Sequence, residues 1–325
     1  MRDGYGRLID YLRISVTDRC NFRCSYCLPP EGIGSLPDSE ILSYAELLRV
    51  ITILGRQGVS KVRITGGEPL VRDGLTDFIS SIRATGLVSD LAMTTNGSLL
   101  GGMARQLKAA GLNRVNISVD TVDPQRFAAI TGGGELAETL AAVEAALEAG
   151  LAPVKLNVVI TEACGEEDVL YFVSLVKEHP IAVRFIECMP VGQSDVRPGF
   201  SAATIKKVIS KTGHGSLQPV KTMRGNGPAQ YFGLPGTPGV FGFISPISDP
   251  FCQGCSRIRL TADGKIKPCL LSDQEFDIRT ALRRGASDRT ISELFSEAIR
   301  RKPDRHYVSA SHRAQLGRGM SQIGG

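Results

Sequence analysis

From Tyr11 to about Glu187 the chain alternates short β-branched or apolar runs with longer amphipathic stretches, and this alternation limits the fold more than any other feature. The strand candidates are residues 11–16, 60–65, 90–95, 114–119, 153–160 and 181–187. The stretches between them read as helices with marked ends. Ser43 and Glu46 make a capping box, and Gly58, Gly86, Gly111 and Gly150 stand where such helices close. Six βα units at roughly 30-residue spacing predict an α/β fold with a parallel sheet, each crossover helix covering a face. The pattern fits a doubly wound sheet or a partial barrel of the TIM type equally. After Glu187 the texture changes. Residues 201–211 read as a helix, 213–242 are rich in Gly and Pro with short alternating runs such as 229–233, and 279–301 read as one or two further helices.

Composition narrows the class. A chain of 325 residues, 42% hydrophobic and 22% charged, can bury one large core or two modest ones. The net charge of +5 is mild and suits an anionic small molecule at least as well as nucleic acid. Residues 1–16 hold no apolar signal-like run, and no stretch of about twenty apolar residues exists. The expectation is a cytoplasmic protein with neither membrane nor nucleic-acid partner.

The cysteines carry the chemistry. Six of eight lie in two tight triplets near opposite ends of the chain, a pattern that in a long chain reads as metal ligation rather than a disulfide framework. Cys20, Cys24 and Cys27 follow the first strand directly, where ligands bind in parallel α/β proteins. Three thiolates can surround a cubane iron–sulfur cluster and leave one of its four irons open. The other reading, a zinc site, lacks a fourth ligand nearby. Cys252, Cys255 and Cys269 form the second triplet. It could be another cluster with an open iron, or a zinc ribbon completed by Cys164, Cys188, His179, His214, His306 or His312, although none has ribbon spacing. Arg257 and Arg259 alternate along an apparent strand beside it, so both can face the same site and grip a phosphate. Arg13 and Arg63 sit in otherwise apolar strands, where a buried charge is costly without an anionic partner.

The C-x₃-C-x₂-C spacing with Tyr26 before its last cysteine, followed by Gly66-Gly67-Glu68-Pro69 after the second strand, resembles the radical S-adenosylmethionine (SAM) superfamily. Further motifs resemble one family within it, the GTP 3′,8-cyclases of molybdenum cofactor biosynthesis (molybdopterin biosynthesis A). These are 13–20, 62–69, Thr94-Thr95-Asn96-Gly97, Asn116-Ile117-Ser118-Val119-Asp120, Arg184-Phe185-Ile186-Glu187, the second triplet and the terminal Gly324-Gly325.

The resemblance implies an incomplete (βα)₆ TIM-like barrel over residues 1–200 with a first 4Fe–4S cluster. An irregular region, 201–325, closes it and carries a second cluster and the tail. Cys20, Cys24 and Cys27 would hold the SAM cluster; Cys252, Cys255 and Cys269 would hold the second, where guanine coordinates iron. SAM would meet Tyr26, Gly67, Ser118 and Met189. GTP would meet Arg13, Arg63, Thr94, Lys155, Arg257, Ile258 and Arg259, and Gly324 and Gly325 would enter the active site. Without the resemblance, Lys155 reads as a solvated strand residue and Met189 as a core methionine. Cys164 and Cys188 read as structural thiols. The implied reaction forms (8S)-3′,8-cyclo-7,8-dihydroguanosine 5′-triphosphate, the first step of that pathway. It is started by a 5′-deoxyadenosyl radical and needs a low-potential electron donor, with cyclic pyranopterin monophosphate synthase as successor and a homodimer as one assembly. A radical SAM enzyme with an auxiliary cluster acting on peptide or RNA is the alternative, but it leaves the Arg257–Arg259 pair unexplained.

Overall fold

In the computed structural model, which describes residues 1–27, 34–189, 191, 197–220, 227–308 and 318–324, the six expected strands are all present. They are β1 (Tyr11–Ser15), β2 (Lys61–Thr65), β3 (Asp90–Thr95), β4 (Arg114–Ser118), β5 (Lys155–Ile160) and β6 (Ala182–Glu187). They lie parallel and side by side in sequence order. A doubly wound sheet reverses its strand order partway. No reversal occurs between β1 and β6, so that alternative falls.

The crossovers carry α1 (Tyr44–Gly55), α2 (Leu75–Ala84), α3 (Leu100–Ala109), then both α4 (Pro124–Thr131) and α5 (Leu136–Glu148), and α6 (Glu166–Glu178). The Ser43–Glu46 capping box forms as expected, with the Ser43 side chain accepting from the Glu46 main chain and the Glu46 carboxylate accepting from Ser43. Such caps decide where the helix begins, because they satisfy donors that the first turn cannot.

The strands alternate in character. Leu12, Ile14, Val62, Ile64, Val115, Ile117, Leu156, Val158, Val183 and Phe185 are buried in one apolar core with the helices. Their neighbours at period two are largely polar: Arg63, Asn116, Lys155 and Arg184 are buried too, and Arg13 is half-buried. One face of the sheet is thus an ordinary core and the other a buried polar chamber.

The rest of the chain extends this sheet at both edges. Helix α7 (Ala202–Ser210) leads to β7 (Gln218–Val220), β8 (Gln230–Gly233) and β9 (Val240–Ile244), and β9 pairs parallel with β6. At the far edge β10 (Arg257–Leu260) pairs parallel with β1, followed by β11 (Lys265–Lys267) and β12 (Phe276–Asp277). The result is a 12-stranded mixed sheet. Two helices follow, α8 (Arg279–Arg283) and α9 (Asp288–Arg300), as the 279–301 pattern predicts. They lie against the first helix: Arg49 pairs with Asp288 and Arg283 with Glu46.

One buried ion pair supports the polar face from below. Arg114, 1% exposed, donates to both Asp90 carboxylate oxygens, at 2.9 and 2.6 Å, across β3 and β4. Removing one partner of such a pair leaves a charge uncompensated and costs about 3–5 kcal/mol. Asp90→Ala should therefore lower the urea-unfolding free energy by about that amount, with little change in slope; a loss below about 1 kcal/mol would show that Arg114 finds another partner.

Candidate active site

Register builds the centre of the chamber. Arg13 of β1 is opposite Arg259 of β10 on one side and Arg63 of β2 on the other. Three guanidinium groups thus stand in a row across adjacent strands, with Arg257 two residues before Arg259 on the same face. Arg63 donates to the Tyr11 hydroxyl and, at 3.2 Å, to Thr94 Oγ1. Arg184 on β6 donates to Asn157 Oδ1, and its Nε has no partner among the described residues. Lys155 on β5 reaches the Tyr231 hydroxyl at 3.2 Å.

These cations burden one another. Burial, then Arg259 and Arg63, hold Arg13 well below the usual guanidinium range. Burial, then Arg257, bring Arg259 down to about 10. Burial, then Arg184, Arg114 and Arg63, bring Lys155 down to about 6. Tyr11 moves the other way from what burial alone would do: its hydroxyl is lowered to about 8 because Arg63 and Arg13 outweigh desolvation. Like charges this close and this buried favour a polyanion.

The first triplet lies at the C-terminal end of β1. The loop is pinned by Arg23 and Ser25 main-chain bonds to Thr131 and Ile130 at the end of α4. The Gly66-Gly67 turn closes over it: Gly67 donates to Thr17 O and Glu68 to Arg19 O, both at 2.8 Å. A Cβ on Gly67 would stand 2.3 Å from Arg19 O, so only glycine fits this approach. Glu68 is fully buried and accepts from Leu70 N, Thr95 Oγ1 and Asn96 N, locking the turn to β3. Tyr26 donates to Asp120 at 2.7 Å, and Asp120 accepts from Val159 N as well. Burial pushes the Cys24 and Cys27 thiols up, Cys27 to about 12, with Cys20 repelling both.

The second triplet faces the first across the same cavity of about 310 Å³, which Cys20, Cys24, Cys27, Cys252, Cys255 and Cys269 all line. Burial raises the Cys255 thiol, but Arg257 and Lys302 outweigh it and bring it down to about 6. All eight cysteines are free thiols. Among the described residues no three His, Cys, Asp or Glu side chains gather on one ion-sized point. Two sets of three soft donors, each without a fourth, suit clusters bound through three separate irons.

The chain end lies between the triplets. Arg318 grips Asp263, at 3.2 and 2.8 Å, and Glu275 at 2.7 Å. A single helical turn, α10 (Met320–Ile323), follows, where the Gly-rich composition predicts a loose arm. The Ser321 N–H donates to the Cys27 sulfur. Ile323 packs with Val191 and Leu271 beside Met189 and Cys269. Gly324 O accepts from Arg13 at 3.4 Å and Arg259 at 3.2 Å. A Cβ on Gly324 would meet Thr65 Oγ1 at 2.5 Å, which requires glycine there. Gly325 and His312 lie outside the described residues.

Of the other residues singled out from the sequence, Tyr26, Gly67, Thr94, Ser118 and Met189 line the cavity. Ile258 does not present its side chain there; it is fully buried in the apolar core on the opposite face of β10. Lys155 is buried rather than solvated, one pleat below the cavity-lining Asn157. Cys164 is buried in the core, as expected for a structural thiol. Three more residues line the cavity: Lys302, which sequence reasoning passed over, Arg184, which it noted only within a motif, and His306, which it named only as a possible zinc ligand. Arg184 had a signal, a charge inside an apolar strand; Lys302, a single lysine in a polar segment, had none.

Fold and cysteine loop together define a radical SAM enzyme, and the Radical SAM superfamily model matches residues 14–176. A second model, Molybdenum Cofactor Synthesis C, matches residues 181–308. The chain is 47% identical to a GTP 3′,8-cyclase of Heliobacterium modesticaldum and 45% identical to one of Desulforamulus reducens, each over 100% of both chains. It belongs to the GTP 3′,8-cyclase family. Among solved structures, Streptococcus suis SuiB shares the fold with a TM-score of 0.60 at 14% identity, over 84% of this chain and 65% of that one. SuiB bound to its precursor peptide gives 0.59 at 15% identity, over 81% of this chain and 60% of that one.

An anion seated on these cations should recharge Lys155. Above about pH 6 the free chain holds Lys155 neutral, and a bound polyanion lifts its affinity for a proton. Tripolyphosphate binding at about pH 7.5 should therefore take up close to one proton more in the wild type than in Lys155→Met, and weaken as pH rises. Calorimetry in two buffers of different ionisation enthalpy reads this directly. Equal uptake by both chains would remove Lys155 from the anion site.

Proposed function

We propose that the chain cyclises GTP between C3′ and C8 as a radical SAM lyase, in the first step of molybdenum cofactor biosynthesis. The observation that carries this reading is the row Arg259–Arg13–Arg63, set in one cavity between two cysteine triplets. A triphosphate needs such a row, and a substrate that reacts with a SAM-derived radical needs it beside the first triplet.

Cys20, Cys24 and Cys27 would hold one 4Fe–4S cluster, and Cys252, Cys255 and Cys269 a second, each with one iron left for a ligand of its own. That ligand would be SAM at the first and the guanine base at the second. When bound and reduced, the first cluster with SAM supplies a 5′-deoxyadenosyl radical able to take the C3′ hydrogen of GTP.

The protein's own work is placement. Tyr26, held by Asp120, together with the Gly67 main chain, Ser118 and Met189, would orient SAM. Arg13, Arg63, Arg257 and Arg259, with Thr94 and the Ile258 main chain, would bind the nucleotide, and Lys155 and Arg184 would complete the phosphate seat. Gly324 and Gly325 would close the cavity and exclude water. We read the β1–β6 array as an incomplete (βα)₆ barrel over residues 1–200, closed by 201–325. The support is the sequential strand order and the convergence of polar side chains from every one of these strands on a single cavity. Electrons would come from a low-potential donor, and cyclic pyranopterin monophosphate synthase would take the product.

Anaerobic reconstitution should load about eight irons per chain and no zinc, and the loaded chain should convert GTP with SAM and reductant to cyclised nucleotide. Zinc at the second triplet, or no new nucleotide, would overturn the reading. Cys24→Ser should abolish SAM cleavage. Cys255→Ser should retain uncoupled cleavage while losing cyclisation; loss of cleavage with the first cluster fully loaded would contradict separate roles.

The docked tail adds another expectation. Deleting Gly324 and Gly325 removes the carbonyl that Arg13 and Arg259 hold, without disturbing Arg318 or either triplet. Folding, iron content and most GTP affinity should survive, and cyclisation should fail. A full-length rate from the truncated chain would reduce the tail to packing.

A further inference from the structure

The main-chain surroundings of the second triplet are set by two basic residues. The main chain beside each of its three cysteines is held by a cation that is neither a cluster ligand nor one of the nucleotide residues. Lys302, 3% exposed, donates from Nζ to Arg257 O at 2.9 Å and to Pro268 O at 2.6 Å. Arg257 is two residues beyond Cys255, and Pro268 directly precedes Cys269. Arg7 donates to the carbonyl of Cys252 itself at 2.8 Å. Its remaining donors go to Pro303 O at 2.6 Å and Asp304 O at 2.9 Å, and to Asp3, so Arg7 also ties down the turn that carries Lys302. Residues from the two ends of the chain thus form one frame around three ligands that are themselves up to 17 positions apart (252 to 269).

The frame is anchored to the barrel side. Lys302 follows the last turn of α9, its main chain donating to Ile299 O, and α9 begins at the Arg49–Asp288 pair on the first helix. A cation at a helix C-terminus is favoured by the exposed carbonyls there. Its burial is costly unless negative charge stands close, and Cys255 and Cys269 are within electrostatic reach.

We propose that Lys302 and Arg7 are positioning residues of the second triplet: they hold the three cysteine-bearing segments at their mutual spacing, and Lys302 sets a positive charge against the metal centre those cysteines bind. The proposal rests on the second-cluster reading above. A cluster gains negative charge on reduction, so a buried ammonium beside it favours the reduced state.

The test is Lys302→Met, which keeps the length of the side chain and removes charge and donors. After anaerobic reconstitution, the first cluster's response to SAM should match wild type. A chelator should strip the second cluster about 10–100-fold faster, and its midpoint potential, read by spectroscopically monitored titration, should move negative. Lys302→Arg, which keeps the charge, should recover most of the potential. Wild-type potential and wild-type iron retention in Lys302→Met would overturn the proposal. If that variant does not fold, Arg7→Met decides on iron retention alone, with faster loss supporting the frame and unchanged loss refuting it. Should the wild type carry iron only at its first triplet, the two-cluster reading fails, and the frame is then judged in metal-free protein. Amide exchange around residues 252–257 and 268–270 should be about tenfold faster in Lys302→Met, and equal exchange would remove the frame as well.

Discussion

Buried positive charge is the constraint on which the rest of this structure depends. Arg259, Arg13 and Arg63 stand abreast on three neighbouring strands, with Arg257, Arg184 and Lys155 close by, and burial together with mutual repulsion pulls several of them below their ordinary ranges. Such a face is tolerable only because the opposite face of the same strands is a continuous apolar core and because Arg114 is neutralised by Asp90. What remains is a preformed cluster of cationic donors, an arrangement suited to a polyanion.

The C-terminal half completes that seat rather than standing apart from it. Strand β10 brings Arg257 and Arg259 to the edge of β1, β9 extends the other edge, and the chain end returns between the triplets to offer Gly324 O to two of the arginines. In this state the tail carbonyl satisfies donors of the same two arginines that the proposed function assigns to the nucleotide. The Ser321 amide on Cys27 and the Gly324 carbonyl on Arg259 place one short turn of chain in touch with both ends of the cavity.

Much of this was legible in the sequence, for identifiable reasons. The six strands and their helices announce themselves through period-two and period-3.6 patterning with capping residues at the joints, and the triplets through spacing. Arg13 and Arg63 stand out as charges inside apolar runs. Strand order did not, because periodicity says nothing about which strands are neighbours, so the doubly wound alternative stayed open until pairing was seen. The burial of Ile258 on the far side of β10 follows from register. Lys155 reads as solvated because its partners, Tyr231, Arg184 and Arg63, come from distant segments. The tail turn escaped because glycine-rich composition predicts loose chain, whereas Ile323 burial and the Arg318 ion pairs hold it. Arg7 and Lys302 carry no local pattern at all; their role exists only where the two ends of the chain meet.

The central claim is that one cavity brings a nucleotide, held by the arginine row, against the SAM site formed around the first triplet. The most direct measurement is isotope transfer. GTP deuterated only at C3′ is incubated anaerobically with the reconstituted chain, SAM and reductant, and the 5′-deoxyadenosine is analysed by mass spectrometry. The account predicts deuterium in the 5′-deoxyadenosine, in step with formation of cyclised nucleotide. Abundant 5′-deoxyadenosine without deuterium, with GTP bound, would mean that the row does not set C3′ beside the SAM site.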